Sequence, residues 1–238
     1  MGHRTITPIG SDHRMWAVLH HAAASKVLYA NPPDFAEMNA WRRLLGPGSL
    51  FVDVGSNVGA YALWAVDCGA DVIAIEPSES TAKLLKQNLA LNGEPPIEVH
   101  QCALAGEAGE MWLTEGMDSM NHLLLDGKKG ERVKVRTLDD LLGDRTATGV
   151  KIDVEGAERL VLSGAQLALS EGRIQVLQLE WNDLSGTMVG ESRQPIVDML
   201  RKFGYGFFRP DESGNLVPSS EHGFGADLFA VRIPDQET

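Results

Sequence analysis

The sequence predicts an α/β fold: a doubly wound, mostly parallel sheet with helices on both faces. Three observations carry this. From residue 50 onward, apolar runs of strand length alternate with longer segments of helical period. Several of the runs end in an acid, at Asp53, Glu76, Asp153 and Glu180. Two strand-to-helix turns are marked by glycine, at Gly55–Gly59 and at Gly156. Such alternation implies right-handed crossovers and parallel pairing, with ligands bound beyond the carboxyl ends of the strands.

Residues 1 to about 45 show no strand alternation. Met15 to Val27 and Phe35 to Leu45 read as two helices, the second with Met38, Trp41, Leu44 and Leu45 on its apolar positions. Asn31-Pro32-Pro33-Asp34 separates them and supplies Asp34 as an N-cap. Residues 1–45 are therefore expected to form an N-terminal helical cap or lid, and residues 46–238 the main domain. Tyr29 and Phe35 in this cap are candidates to close over a bound ligand.

Gly46-Pro47-Gly48 ends the second helix. The strand Leu50–Val54 then enters a helix from Ala60 to about Val66, and the strand Val72–Ile75 precedes a helix from about Glu79 to Leu91, closed by Asn92-Gly93. Ile97–Ala103 is the third strand. Glu110–Leu113 and Arg132–Arg136 read as an added ribbon, and Thr137–Leu142 as a short helix. Gly149–Val154 leads into a helix Ala157–Leu169, Gln175–Trp181 follows, and then a helix Gln194–Phe203. Tyr205–Phe208 and Asp227–Ile233 close the chain as a pair, which brings the main sheet to seven strands.

The turn after the first of these strands suggests chemistry. In Asp53-Val54-Gly55-Ser56-Asn57-Val58-Gly59 the glycines are four apart, and Asn57 stands where a dinucleotide fingerprint has its second glycine. Asp53 would repel a pyrophosphate but would accept hydrogen bonds from an ammonium. S-adenosylmethionine carries an ammonium and no phosphate. Glu76, at the tip of the next strand and followed by Pro77, can accept from both hydroxyls of an adenosine ribose. NAD would also use a glycine loop and Glu76, but Asp53 and Asn57 argue against it. A glycine turn with no ligand is the plain structural alternative.

The second dense motif is Lys151-Ile152-Asp153-Val154-Glu155-Gly156-Ala157-Glu158. Lys151, Asp153 and Glu155 share one face if the strand persists that far. Glu155 and Glu158 favour a helix start. An acid ending an apolar strand is costly unless it meets water, a partner or a ligand. Asp153 is the first candidate general base, with Glu155 and Glu180 as neighbours. His122, in a polar loop, is the other; His20 and His21 read as helix-surface residues. Asp153, Glu180 and Asp183 offer oxygen ligands suited to Mg²⁺, and spacing leaves that metal open.

Bulk properties narrow the function. Thirty-three acids stand against 21 bases, a formal net charge of −12, which disfavours nucleic acid and anionic membrane as partners. Cys68 and Cys102 read as small core residues rather than a disulfide or metal framework. No run approaches membrane-span length, and a reducing cytoplasm is the expected compartment. The oligomeric state is left open, a homodimer included.

Taken together, the motifs resemble the FkbM family of S-adenosylmethionine-dependent methyltransferases. The resemblance rests on Val52–Gly59, Glu76-Pro77, Val135-Arg136-Thr137-Leu138-Asp139-Asp140-Leu141, the Lys151–Glu158 run with Leu162 and Gly164-Ala165, and Gln178-Leu179-Glu180, in that order. It implies a class I methyltransferase (Rossmann-like) fold and O-methylation of a hydroxyl on a small molecule, a sugar or natural-product scaffold. N-methylation and non-catalytic cofactor binding are the alternatives. Carried onto this chain, the resemblance implies that Asp53, Gly55, Asn57 and Gly59 hold the methionine part of S-adenosylmethionine, with Ser56 and Tyr61 also among the cofactor contacts. Glu76 and Pro77 would then take the ribose and Ala103 the adenine, with Asp153 facing donor and acceptor.

Overall fold

The structure is a computed structural model, and it describes residues 4–18, 27–93, 95–113, 123–124, 130–181, 192–221 and 227–233. The chain opens with a β-hairpin: β1 (Arg4–Ile9) pairs antiparallel with β2 (His13–Val18). This corrects the expected helix over Met15 to Val27, at least as far as Val18; residues 19–26, with His20 and His21, lie outside the described residues. The reason is period. Met15 and Ala17 are fully buried while Arg14 is exposed, an alternation of two. The hairpin also finds partners that its own sequence does not announce. Asn88 and Asn92 accept the backbone N–H groups of Trp16 and Arg14 at 2.9 and 2.8 Å. The Asp67 carboxylate takes the amides of Ser11 and Asp12 and pairs with Arg42 at 2.8 Å.

Helix α1 (Phe35–Leu44) follows. Asp34 stands at its N-cap position, but its side chain makes no capping hydrogen bond. Strand β3 (Leu50–Val54), helix α2 (Ala60–Asp67), strand β4 (Asp71–Ile75) and helix α3 (Glu79–Leu91) come next, then β5 (Ile97–His100). The expected third strand Ile97–Ala103 is broken: β6 (Ala103–Leu104) leaves the main sheet and pairs in parallel with β9 (Glu131–Arg136). With β7 (Gly109–Leu113) and β8 (Leu123–Leu124) these form a separate four-stranded sheet, which contains the anticipated ribbon.

Helix α4 (Leu138–Leu142) is capped by the Thr137 hydroxyl, which accepts the Asp140 amide. Strand β10 (Ala147–Ile152) then leads to α5 (Glu158–Ser163) and α6 (Gln166–Ser170). The single helix expected over Ala157–Leu169 is thus two. They break at Gly164, where a Cβ would collide with the Ala105 carbonyl, so the backbones touch. β11 (Ile174–Leu179), α7 (Gln194–Lys202), β12 (Tyr205–Pro210), β13 (Leu216–Pro218) and β14 (Leu228–Arg232) complete the order.

The main sheet has eight strands among the described residues, ordered β13-β12-β14-β11-β10-β3-β4-β5, rather than seven. The five from β11 to β5 are parallel; β14 reverses direction, and β12 and β13 extend from it antiparallel. Alternate strand residues face opposite cores. Val52, Val54, Ile73, Ile75, Val150 and Ile152 pack under α4 to α7. Phe51, Val72, Ala74 and Phe229 pack under α1 to α3 and the hairpin. Helices therefore cover both faces, as the alternation predicted.

Helix α1 belongs to this second core. Trp41 is fully buried between Phe51 and Phe229, with centroids 4.9 and 5.5 Å away. Gly149 in β10 makes the space, since a Cβ there would strike the indole ring. Phe35, by contrast, is exposed, as is Tyr29.

Candidate active site

The site forms where β3, β4, β10 and β11 end. β3 runs into a loop whose Gly55, Asn57 and Gly59 all have positive φ, at 80°, 49° and 93°. The loop is stitched to the next strand. The amides of Gly55 and Ser56 donate to the Ile75 carbonyl at 3.0 Å, and the Ser56 hydroxyl accepts the Ile75 amide at 2.8 Å. At Gly55 a Cβ would fall on the carbonyl oxygen of Asp153, so glycine lets the two motifs meet backbone to backbone. Gly59 does not line the cavity. It is the left-handed N-cap of α2, with Leu85 2.5 Å from where a Cβ would stand.

A cavity of about 260 Å³ opens above this loop. Asp53, Ser56, Asn57 and Tyr61 line one part of it, Glu76, Pro77 and Ala103 another, and Asp153, Glu155 and Glu180 a third. The residues singled out from sequence as cofactor contacts therefore converge, Gly59 excepted. His122 and Asp183 lie outside the described residues.

Asp53 is 1 % exposed, and neither carboxylate oxygen has a hydrogen-bond partner. Burial pushes its carboxyl up to about 6, against the opposing pull of Lys151 and of the Ala62 amide and Ser56 hydroxyl nearby. A buried carboxylate without a partner is costly, and it faces a cavity. Glu76 is organised differently. Its Oε2 accepts the Asn57 amide and its Oε1 the Ser78 amide, both at 3.0 Å. Burial pushes it up to about 7, the two backbone donors working against that.

The second motif does not continue as a strand. β10 ends at Ile152, and Glu155 and Gly156 turn through φ values of 51° and 101°. Lys151 and Asp153 nevertheless meet, Nζ to Oδ2, at 2.7 Å. Asp153, Glu155 and Glu180 bring carboxylate oxygens within 4.8 Å of one another. Burial first, and then the charges of Asp153, Glu155 and Glu158, raise Glu180 well above the usual carboxylate range. Glu158 stands apart. It is fully buried, accepts the Gly156 amide at 3.0 Å and pairs with Arg193 at 2.6 Å, so it braces the turn.

Beneath the rim lies a polar network that sequence reading did not assign. Lys151, 3 % exposed, sits 4.6 Å over the Tyr61 ring. The Gln178 amide donates to the Tyr61 hydroxyl at 3.3 Å and to Asp227 at 2.6 Å, and it accepts from the Trp41 indole. A signal was present: a lysine and a glutamine at inward positions of apolar strands need buried partners.

An open α/β sheet carrying a glycine loop, a buried acid at the end of β3 and a second acid at the next strand tip on one cavity is the arrangement of an S-adenosylmethionine-dependent methyltransferase. Comparison with known proteins agrees. Residues 53–207 match the Methyltransferase FkbM domain, and the chain belongs to that family. Its cofactor is S-adenosylmethionine. The chain is 29% identical over 215 residues to the 31-O-demethyl-FK506 methyltransferase FkbM of Streptomyces tacrolimicus, covering 74% of this chain and 79% of that protein. Among solved structures, a T. thermophilus 16S rRNA methyltransferase in complex with AdoMet and guanosine aligns with a TM-score of 0.54 at 15% identity, over 97% of this chain and 50% of that one. The precorrin-6y C5,15-methyltransferase of Geobacter metallireducens aligns with a TM-score of 0.51 at 13% identity, over 95% and 100%. At these identities the structures speak for the fold. Among the described residues, no helix is long and apolar enough to cross a membrane.

Proposed function

We propose that this methyltransferase transfers its methyl group to a hydroxyl of a small molecule, a sugar or natural-product scaffold, with Asp153 as the base. The observation that carries the reading is the trio Asp153, Glu155 and Glu180, within 4.8 Å of one another, in the same cavity as Asp53 and Glu76. The Streptomyces tacrolimicus relative, by its name an O-methyltransferase of a small molecule, supports the same class.

When bound, S-adenosylmethionine supplies an electrophilic methyl carbon and a neutral thioether leaving group. The protein positions, excludes water and handles the proton. In this reading Asp53 and the loop through Asn57 hold the amino-acid end, beside Tyr61. Glu76 and Pro77 hold the ribose, and Ala103, with Leu113 of the small sheet, borders the adenine. Asp153 takes the proton of the acceptor hydroxyl as that oxygen forms its new bond to carbon. Glu180, raised above the usual range, is the proton-bearing member of the trio near neutral pH and serves as a hydrogen-bond donor to its neighbours.

Pro33 and Asp34 border the cavity, and the exposed Tyr29 and Phe35 flank them in sequence. These four residues form the acceptor lid of the proposal. Tyr29→Ala or Phe35→Ala then raises acceptor KM with cofactor affinity intact; unchanged kinetics in a folded variant would remove the lid.

The decisive assay incubates the protein with methyl-labelled S-adenosylmethionine and a size-fractionated extract of its host. Label in a small molecule, as an O-methyl group by NMR and lost in D153N, supports the proposal. Label on nitrogen, or only on protein or nucleic acid, overturns the acceptor class. Activity abolished by EDTA and restored by Mg²⁺ assigns the trio to a cation instead of a proton.

A further inference from the structure

Lys151 is a buried cation in an otherwise apolar strand, and its surroundings are unusually acidic. It faces Asp153 at the end of its own strand, Asp53 at the end of β3, Asp227 at the start of β14, and the Tyr61 ring from α2. Burial alone would lower its ammonium, but the three acids outweigh that and hold it above its ordinary value. It is therefore a fixed positive charge. It donates a hydrogen bond to Asp153 Oδ2, at 2.7 Å.

The chemistry of the cofactor gives that pairing a consequence. The sulfonium lies between the amino-acid and ribose ends of S-adenosylmethionine. The groups proposed for those ends, Asp53 and Glu76, line the same cavity as Asp153. Asp153 also packs directly on the loop, its amide donating to the Val54 carbonyl at 3.0 Å. A carboxylate there attracts a sulfonium but not the neutral thioether left after transfer. Lys151 tempers that attraction by holding and partly neutralising the same carboxylate.

We propose that Lys151 is a positioning residue that sets how strongly the site prefers the charged methyl donor over its demethylated product, acting through Asp153. The proposal rests on the placement of Asp153 at the reacting centre, as the functional reading does, but not on the identity of the acceptor. Strong preference for the product would stall turnover. Excessive preference for the donor would stabilise the ground state and gain nothing in rate. A lysine clamped to the relevant carboxylate is a means of setting the balance.

The test needs no acceptor. S-adenosylmethionine and S-adenosylhomocysteine differ by one methyl and one positive charge, so general damage to the pocket cancels in the ratio of their affinities. Calorimetry on the wild type, K151M, K151R, D153N and K151M/D153N measures that ratio. Expected is a rise in donor preference of about tenfold in K151M, a ratio near wild type in K151R, and a fall in D153N. In the D153N background, K151M then changes the ratio little. If K151M does not fold, K151Q takes its place, and a K151Q ratio equal to wild type overturns the proposal. Equal loss of both ligands in K151M, or a D153N ratio equal to wild type, overturns the proposal. The expected ratios alongside failed methyl transfer to hydroxyls place the error in the acceptor class; wild-type ratios in every variant alongside intact transfer to a hydroxyl by the unaltered protein place it in the role of Lys151.

Discussion

Replacing Asp53 by asparagine separates what this residue does for folding from what it does for the cofactor. The carboxyl is buried, unpartnered, and pushed from 3.8 to about 6. A group whose folded value is raised contributes stability that is complete below its unfolded value and lost as pH rises through the folded one. For Asp53 the loss runs from about pH 4 to pH 6, and at roughly 1.4 kcal/mol per pH unit it reaches about 3 kcal/mol at neutral pH. D53N removes that cost but leaves a buried amide to satisfy, so a net gain of about 1–2 kcal/mol is expected in the free protein. That is several degrees in Tm for a chain of this size. The cofactor pays the opposite way: losing a charge-assisted bond to its ammonium weakens binding by about 2–3 kcal/mol, some 30- to 150-fold. Differential scanning calorimetry at pH 5 and 7.5, with calorimetric titration of S-adenosylmethionine, measures both. A D53N protein less stable than wild type at pH 7.5, or one that binds the cofactor with full affinity, refutes the reasoning.

Three further outcomes follow from the same geometry. Cofactor affinity in the wild type falls as pH drops through about 7 and then about 6, as Glu76 and then Asp53 take a proton, and D53N loses the lower, Asp53 part of that slope, of up to tenfold per pH unit, in titrations from pH 5 to 7.5. G55A loses measurable cofactor binding and about 3 kcal/mol or more of stability, since both its φ and the Asp153 carbonyl oppose a Cβ. G59A, opposed by its φ and by the movable end of Leu85, loses about 1–2 kcal/mol and still binds; calorimetry and thermal melts rank the two. E158A, which strands a buried Arg193 contact and the Gly156 amide, costs about 3 kcal/mol in urea denaturation.

The doubly wound core was legible because a parallel strand buried on both faces is a short apolar run, and the acids at Asp53, Glu76, Asp153 and Glu180 interrupt those runs at their ends. The loop after β3 was legible for the same reason, with glycine marking the places where backbone must meet backbone or turn left-handed. What escaped was decided by partners distant in sequence. The stretch around Met15 to Val18 is held as a strand by Asn88 on α3 and Asn92 at its C-terminal cap, which receive the amides of Trp16 and Arg14, and a local window does not contain them. That Gly59 is also the left-handed N-cap of α2, close against Leu85, depends on a contact from α3 that its spacing does not reveal. Ile97–Ala103 splits because its last residues pair with β9, some thirty residues on. The network joining Lys151, Tyr61, Gln178 and Asp227 draws on four separate elements. Only its tension, polar side chains inside apolar strands, was visible beforehand.

The hydrogen bond from the Asn57 amide to Glu76 ties the loop of one strand to the acid of the next before any ligand arrives. The conformational entropy of shaping both halves of the cavity has thus been spent during folding rather than on binding. On the proposed assignment, adenosine alone and methionine alone would each meet a half-site already formed. Covalently joining them gains nearly the full advantage of a tether, in which the first fragment to land delivers the second at high effective concentration.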